Sequence, residues 1–357
     1  MQPVEYTPDD FASLRVAARS LRVPSLGHRP FVDHYYSGNP WSKLHLIRAE
    51  SGSVVGTIGI DRMRFAGGDA YLTLAFATNF HAARPGVGGL LYLHWLKTCP
   101  LGLVFGGSPD THKILRRQRW TYFPGVKTYV LNRRYPIRPE DALWKRWAKR
   151  ILAGLPKTGI DSRLRRIPRA VRRGIDVREE DHVSADMLPR TSPFSFRFAP
   201  TTDYVNWRYR TGLPFVRYRV FRLCEQGRTF GYVVLHDSPE KVVVAHCDGD
   251  DPTALAYGVL LSLAEATREA AAREVLLACS HPAMARVYLQ FGFRASGGER
   301  PLAVGSCGGR VELPADTSSW LVNAAWGDND LRAPFPDQSA SEDPLTAPSR
   351  LGHDARA

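Results

Sequence analysis

The stretch AYLTLAFATNFHAARPGVGGLL, residues 70–91, decides the fold. Its first part, 70–77, alternates large apolar and smaller residues with the aromatic and β-branched content of a strand. Gly86, Gly88 and Gly89 follow, and the apolar run 90–96 reads as a buried helix ending near Cys99-Pro100. A strand that enters a helix through clustered glycines leaves successive backbone N–H groups with no side chain in front of them. The helix N-terminus adds partial positive charge, so the turn suits an anion such as a pyrophosphate. Tight packing produces the same glycine pattern, and the turn alone leaves both readings open.

Working outward, 42–48 and 53–60 are strand candidates separated by turn signals at Glu50-Ser51-Gly52, with a second turn at Ala66-Gly67-Gly68 before the central strand. Beyond the helix, 101–105 is a short strand, 109–119 a helix with Ser108 as N-cap, and 126–131 a strand that closes the unit. The same order returns later. Strands at 218–223 and 229–235 flank Gln226-Gly227, a third covers 241–246, and a long helix over 252–272 starts with Asp251 as N-cap and Pro252. A strand at 275–279, a helix at 282–290 and a last strand at 309–313 complete it. The sequence therefore predicts an α/β protein of two tandem domains, 1–135 and 201–327, with a connector at 136–200 and a polar, Pro- and Ser-rich tail at 328–357 expected to be disordered.

Length and composition agree. At 357 residues the chain holds two ordinary cores, and 44% hydrophobic content is that of a globular protein. No apolar run approaches the roughly 20 residues that cross a bilayer. The acidic start MQPVEYTPDD and five scattered cysteines without a CxxC lead us to expect a reduced, cytoplasmic protein. Of the net charge of +13, a surplus of nine falls in 141–175, where eleven Lys and Arg meet two Asp. That field favours anionic partners without choosing among them. Within it, 140–152 is an amphipathic helix with Leu143, Trp144, Trp147, Ala148, Ile151 and Leu152 on one face and Lys145, Arg146, Lys149 and Arg150 on the other. It packs against a domain, lies weakly on an anionic membrane surface, or flanks a nucleic-acid groove; nucleic acid is the least expected partner. A basic run then follows, Arg163, Arg165, Arg166, Arg169, Arg172 and Arg173.

The stretch around residues 70–91 resembles the GNAT acyltransferase superfamily, whose members carry [Q/R]-x-x-G-x-[G/A] between the central strand and the helix. Gly86 and Gly88 match the two glycines, while Ala83 stands where Gln or Arg is usual and Arg84 comes one position late. Arg119-Trp120 replaces the usual Gly-Phe after the closing helix. The second half resembles the family at its far end, through 274–280, Met284, Tyr288 and Gly292-Phe293. Its loop, however, reads Asp248-Gly249-Asp250-Asp251-Pro252, and three carboxylates repel a pyrophosphate. The resemblance implies tandem GNAT-like domains, each a mixed, mostly antiparallel sheet flanked by helices, with a degenerate second copy.

It further implies acetyl-CoA or another acyl-CoA as co-substrate, held by Thr78, Arg84, Gly86, Val87, Gly88 and Gly89. An amine on a small molecule or sugar would attack the thioester directly, with the acceptor between the two domains. Strand 70–77 holds no carboxylate, which makes His81 the candidate general base, although a histidine there is more often a strand-end hydrogen-bonding residue. Tyr288 occupies the family's acid position but in the half without the loop, where a core role is expected, and Leu115 fills that place in the first half. Trp207 and Arg208 are candidates to meet a sugar or phosphate, set against a packed helix with an Asp203–Arg208 pair. No metal is expected, because His246-Cys247-Asp248 and Cys279-Ser280-His281 lack ligand spacing. Two alternatives stay open: an aminoacyltransferase resembling the Fem enzymes, using aminoacyl-tRNA, and a non-catalytic pair that binds an anionic surface or nucleic acid.

Overall fold

The computed structural model describes residues 1–68, 70–132, 141–154, 167–189, 191–239, 241–267, 274–297, 299–306 and 313–326. The chain begins with β1 (Val4–Glu5), α1 (Phe11–Leu21) and α2 (Arg29–Tyr36). Three long antiparallel strands follow, β2 (Ser42–Arg48), β3 (Val54–Gly67) and β4 (Ala70–Ala82). Next come α3 (Val87–Thr98), β5 (Gly102–Phe105), α4 (Pro109–Arg117), β6 (Thr121–Phe123) and β7 (Lys127–Leu131). The middle of the chain supplies α5 (Leu143–Gly154), α6 (Arg169–Gly174), β8 (Ile175–Glu180), β9 (Phe196–Phe198) and α7 (Thr202–Arg208). The second half runs β10 (Tyr218–Glu225), β11 (Arg228–Asp237), β12 (Lys241–Gly249), α8 (Pro252–Thr267), β13 (Glu274–Cys279), α9 (Pro282–Gln290), β14 (Arg294–Ala295), β15 (Leu302–Gly305) and β16 (Trp320–Leu321).

Two mixed, mostly antiparallel sheets result. The first runs β1-β2-β3-β4-β5-β15-β6, with β9 joined to the far end of β3 and β16 to β9; the second runs β14-β7-β13-β12-β11-β10-β8. Each has a parallel step beside its central strand, β4 to β5 and β12 to β13, and the first has a second where β16 joins β9. The two-copy α/β reading of the sequence is therefore realised, but its domain edges are not. The strand read as closing the first half, β7, pairs with β13 and β14 in the second sheet. In return β15 lies between β5 and β6 of the first. The last strand expected at 309–313 falls mainly outside the described residues, and β15 takes its place in the pattern. The connector is also more than a linker: β8 extends the second sheet and β9 the first. The expected tail lies outside the described residues.

The exchanged strand is locked by shape. Gly102 and Gly305 pair across β5 and β15, and the Trp120 indole fills the space both leave open; a Cβ at either glycine would overlap it. Three apolar cores form the layers. One joins α3 and α4 to the outer face of the first sheet through Ile58, Val87, Leu91, Trp95 and Trp120. Another joins α8 and α9 to the second sheet through Leu255, Val259, Leu263 and Tyr288. The largest lies between the sheets, where Leu46, Met63, Phe65 and Phe76 of the first face Val220, Tyr232, Val234 and Ala245 of the second, with α1, α2 and α7 enclosed. Apolar surface removed from water stabilises by roughly 25 cal/mol per Å², so this shared layer helps to hold the two halves together.

One ion pair is sealed inside that layer. Arg208, wholly buried on α7, meets Asp61 of β3 at 3.2 Å, and Asp61 also accepts a hydrogen bond from Ser42. The Asp203–Arg208 pair expected from the sequence does not form: Asp203 is exposed, and the partner lies 147 residues away.

Candidate active site

Strand β4 loses its regular register just after Thr78. Opposite β3, Thr57 pairs with His81 and Gly59 with Thr78, so Asn79 and Phe80 together face Ile58: a β-bulge. Asn79 sits at φ 44°, a left-handed conformation that asparagine tolerates better than most residues. Its side chain is tied down on both ends. The amide donates to Tyr36 Oη at 2.6 Å, and Oδ1 accepts from Ser25 Oγ at 3.3 Å. Tyr36 Oη and Thr78 Oγ1 lie 3.0 Å apart, and Thr57 Oγ1 donates to the Asn79 carbonyl at 2.8 Å. Sequence reasoning missed Ser25, Tyr36 and Asn79. The only signal was an asparagine at the strand's end, and its partners lie 43 to 54 residues away.

Already before the bulge β4 leaves its other neighbour, β5. The parallel pairing with β5 holds at two positions, Ala75 with Gly102 and Phe76 with Leu103, while β4 continues to Ala82. β5 instead ends at Phe105, followed by Gly106 and Gly107 at φ 90° and 102°. The two strands thus diverge toward the α3 N-terminus.

At that N-terminus Gly86 is the cap residue, at φ 83°, and no side chain caps the helix. The first helical bond runs from the Leu90 N–H to the Gly86 carbonyl, at 3.2 Å, so Gly88 and Gly89 present amides without intrahelical partners. The Val87 N–H makes one long bond, 3.4 Å to the Arg84 carbonyl. A Cβ at Gly86 or Gly89 would meet nothing within 4 Å, and one at Gly88 would touch only Ala82, at 3.7 Å. Glycine in a helix interior costs about 1 kcal/mol relative to alanine, which is an upper guide for a first turn. Packing within the protein does not account for that cost at Gly88 or Gly89. Arg84 is exposed beside these amides, and Val87 points inward against Gly56.

The remaining candidates separate. Thr78 is buried with its hydroxyl bonded to Tyr36, so only its backbone can meet a ligand. Phe80 packs with the α3 core and Ala82 lies beneath Gly88; strand alternation places the intervening His81 on the opposite face, toward α2 and the space between the sheets. Trp207 does not project toward a ligand either: its Nε1 donates to the His34 carbonyl at 3.2 Å, and its ring packs on Trp41 at 5.1 Å. Arg208 is removed from solvent by the Asp61 pair. Both belong to the seam between the halves.

The corresponding place in the second half is closed. β12 carries a matching bulge at Ala245, but Asp251 caps α8 by accepting from the Ala254 N–H at 2.7 Å, and Asp250 pairs with Arg228 at 3.1 Å. Asp248 is buried against Arg197 and the Gly249 N–H; burial pushes its carboxyl up to about 7, against the pull of Arg197. Tyr288 is a core residue between Tyr129 and Phe293. The closing turns still correspond: Arg119 stands at φ 57° before Trp120 where Gly292 stands at φ 87° before Phe293. Among the described residues no group of three or more His, Cys, Asp or Glu could hold a metal ion.

A cavity of about 220 Å³ opens on the inner face of the second sheet, lined by Thr128, Lys241, Val243, Leu276, Ala278 and Arg300 among others. The Arg300 guanidinium lies 5.2 Å from the ring centre of Phe105, the last residue of β5. The cavity therefore adjoins the end of the strand that diverges from β4. The buried Thr128 hydroxyl has no hydrogen-bond partner there.

This architecture matches known structures. A GCN5-related N-acetyltransferase from Anabaena variabilis aligns over 85% of this chain and 72% of its own, with a TM-score of 0.54 at 11% identity. A conserved Enterococcus faecalis protein of unknown function, provisionally an N-acyltransferase, aligns over 85% and 71% with a TM-score of 0.52 at 8% identity. A Pyrococcus horikoshii protein provisionally assigned as an acetyltransferase covers 90% of this chain and 94% of its own, with a TM-score of 0.50 at 11% identity. No family model and no curated protein matches the sequence. The chain has the GNAT fold, in two copies joined by exchanged strands.

Proposed function

We propose that the chain is an acyl-CoA-dependent N-acyltransferase, with acetyl the favoured group, acting on an amine-bearing small molecule or sugar. The observation that carries the reading is the open first turn of α3, where unpacked Gly88 and Gly89 leave amides clear beside diverging strands. Those amides, with Gly86, Val87 and Arg84, would hold the donor's pyrophosphate. The backbone edge of β4 after Phe76 would receive the pantetheine arm, with Thr78 contributing its backbone. The acceptor would enter from between the sheets, by way of the cavity at Lys241 and Arg300.

Acyl-CoA would supply an activated thioester; the acceptor nitrogen would bond to the acyl carbon as the C–S bond breaks, and the leaving CoA thiolate would take up a proton. His81, on the face turned toward the acceptor, is the proposed base that removes the ammonium proton. Calorimetric titration with acetyl-CoA tests the reading. Micromolar binding lost in Gly88→Glu, together with amine-dependent release of free thiol, supports it; binding to tRNA without CoA affinity supports the aminoacyl-tRNA alternative instead.

A further inference from the structure

We propose that α5 docks the protein on an anionic lipid surface, a property separate from the acyltransferase reading. The helix is turned inside out relative to an ordinary surface helix. Leu143 is 82% exposed, Trp144 and Trp147 are each 68% exposed, and Ile151 is 46% exposed. Yet on the opposite side Lys149 keeps 22% and its ion-pair partner Asp141, at 2.6 Å, keeps 13%. A helix folded onto its own protein buries the apolar stripe and leaves the lysines in water. Here the four apolar side chains fall within one arc of about 100° on the helix wheel and face outward.

The flanks of the stripe identify the occupant. At 100° per residue Arg150 lies just beside Leu143 on one edge and Lys145 beyond Trp144 on the other, and both are exposed. Lys145 Nζ also lies 5.5 Å from the Trp144 ring centre. Tryptophan and leucine bordered by cations match the boundary between lipid headgroups and acyl chains, where the rings enter and the cations meet phosphates. A polyanion such as nucleic acid offers the cations a partner but leaves Leu143 and Ile151 in water. A second copy of the helix sets cation against cation. No described helix is long and apolar enough to span the bilayer, so the contact is peripheral. One helix of this length binds reversibly, with strong dependence on salt.

The test is co-sedimentation of the full chain with vesicles of phosphatidylcholine alone and with about one-third phosphatidylglycerol added. The anionic lipid should raise binding at least about tenfold at low salt, and Lys145→Glu/Arg150→Glu should remove most of that gain, since each cation near such a surface is worth about fivefold. Trp144→Ser/Trp147→Ser should lower binding about tenfold with melting curves unchanged, because both rings are exposed. In the parent, brominated lipid should quench tryptophan emission. The proposal is overturned by equal binding to neutral and anionic vesicles, by vesicle binding that survives loss of both tryptophans, or by vesicle-independent dimers that the tryptophan variant dissolves.

Discussion

Replacing Gly88 and Gly89 by alanine separates the two explanations for the glycines. Alanine is favoured over glycine in a helix by about 0.8–1.0 kcal/mol, a figure applied here to a first turn where it is an upper guide. Neither new Cβ collides: Gly89 has nothing within 4 Å and Gly88 only the Ala82 methyl at 3.7 Å. The double variant should therefore gain about 1–2 kcal/mol of stability. Donor binding should move the other way, because two methyl groups then stand between the amides and a pyrophosphate; we expect affinity for acetyl-CoA to fall at least about tenfold, or about 1.4 kcal/mol. Gly89→Glu sharpens the contrast. A carboxylate at this end of the helix is stabilising by about 0.3–1 kcal/mol, yet at 5 Å from a phosphate charge it costs about 1–3 kcal/mol in binding. Thermal or denaturant unfolding measures the first quantity and calorimetric titration the second. Increased stability with unchanged CoA affinity would falsify the assignment of this turn to a phosphate, and decreased stability would show that packing selects the glycines.

Three further outcomes follow from the buried groups. Arg208→Met should destabilise the fold by about 3–5 kcal/mol by leaving Asp61 uncompensated, and adding Asp61→Leu should recover much of the loss; a single variant within 0.5 kcal/mol of the parent in denaturant would refute the argument. Asp248 has its folded pKa raised to about 7 by burial, so between about pH 4 and 7 the folded state binds more protons than the unfolded state and stability falls as pH rises. Asp248→Asn should flatten that slope, worth a few kcal/mol, in melts recorded across the window; an equal slope in both proteins counts against it. Gly305→Ala pushes a Cβ into the Trp120 indole and should cost at least about 1–3 kcal/mol, read as a lower denaturant midpoint.

The legible parts of the fold were those fixed by local pattern. The glycine turn, the strands on either side of it and the capped helices at Ser108 and Asp251 all lie where composition and turn chemistry place them. Helices α1 and α2 went unread, although Leu14, Ala17 and Ala18 sit at helical spacing and form a buried face. The exchange of β7 and β15 was not legible, because alternation tells which face of a strand is buried and not which strand lies beside it. For the site, the open amides were foreseen and the bulge network was not, since Tyr36 meets Asn79 only once α2 has packed on the sheet. Arg208 was misjudged for the same reason. An arginine near an aromatic helix resembles a ligand-binding group until a distant carboxylate is folded against it.

The reciprocal strand exchange has a consequence for how this molecule can be divided. Cut between residues 132 and 141, the N-terminal piece lacks the strand that fills the gap between β5 and β6, and the C-terminal piece lacks the one that joins β13 to β14. Each fragment then carries a vacant slot shaped for a segment of the other. The repeats are thus interlocked like a clasp: separated from the other, neither half keeps a complete sheet.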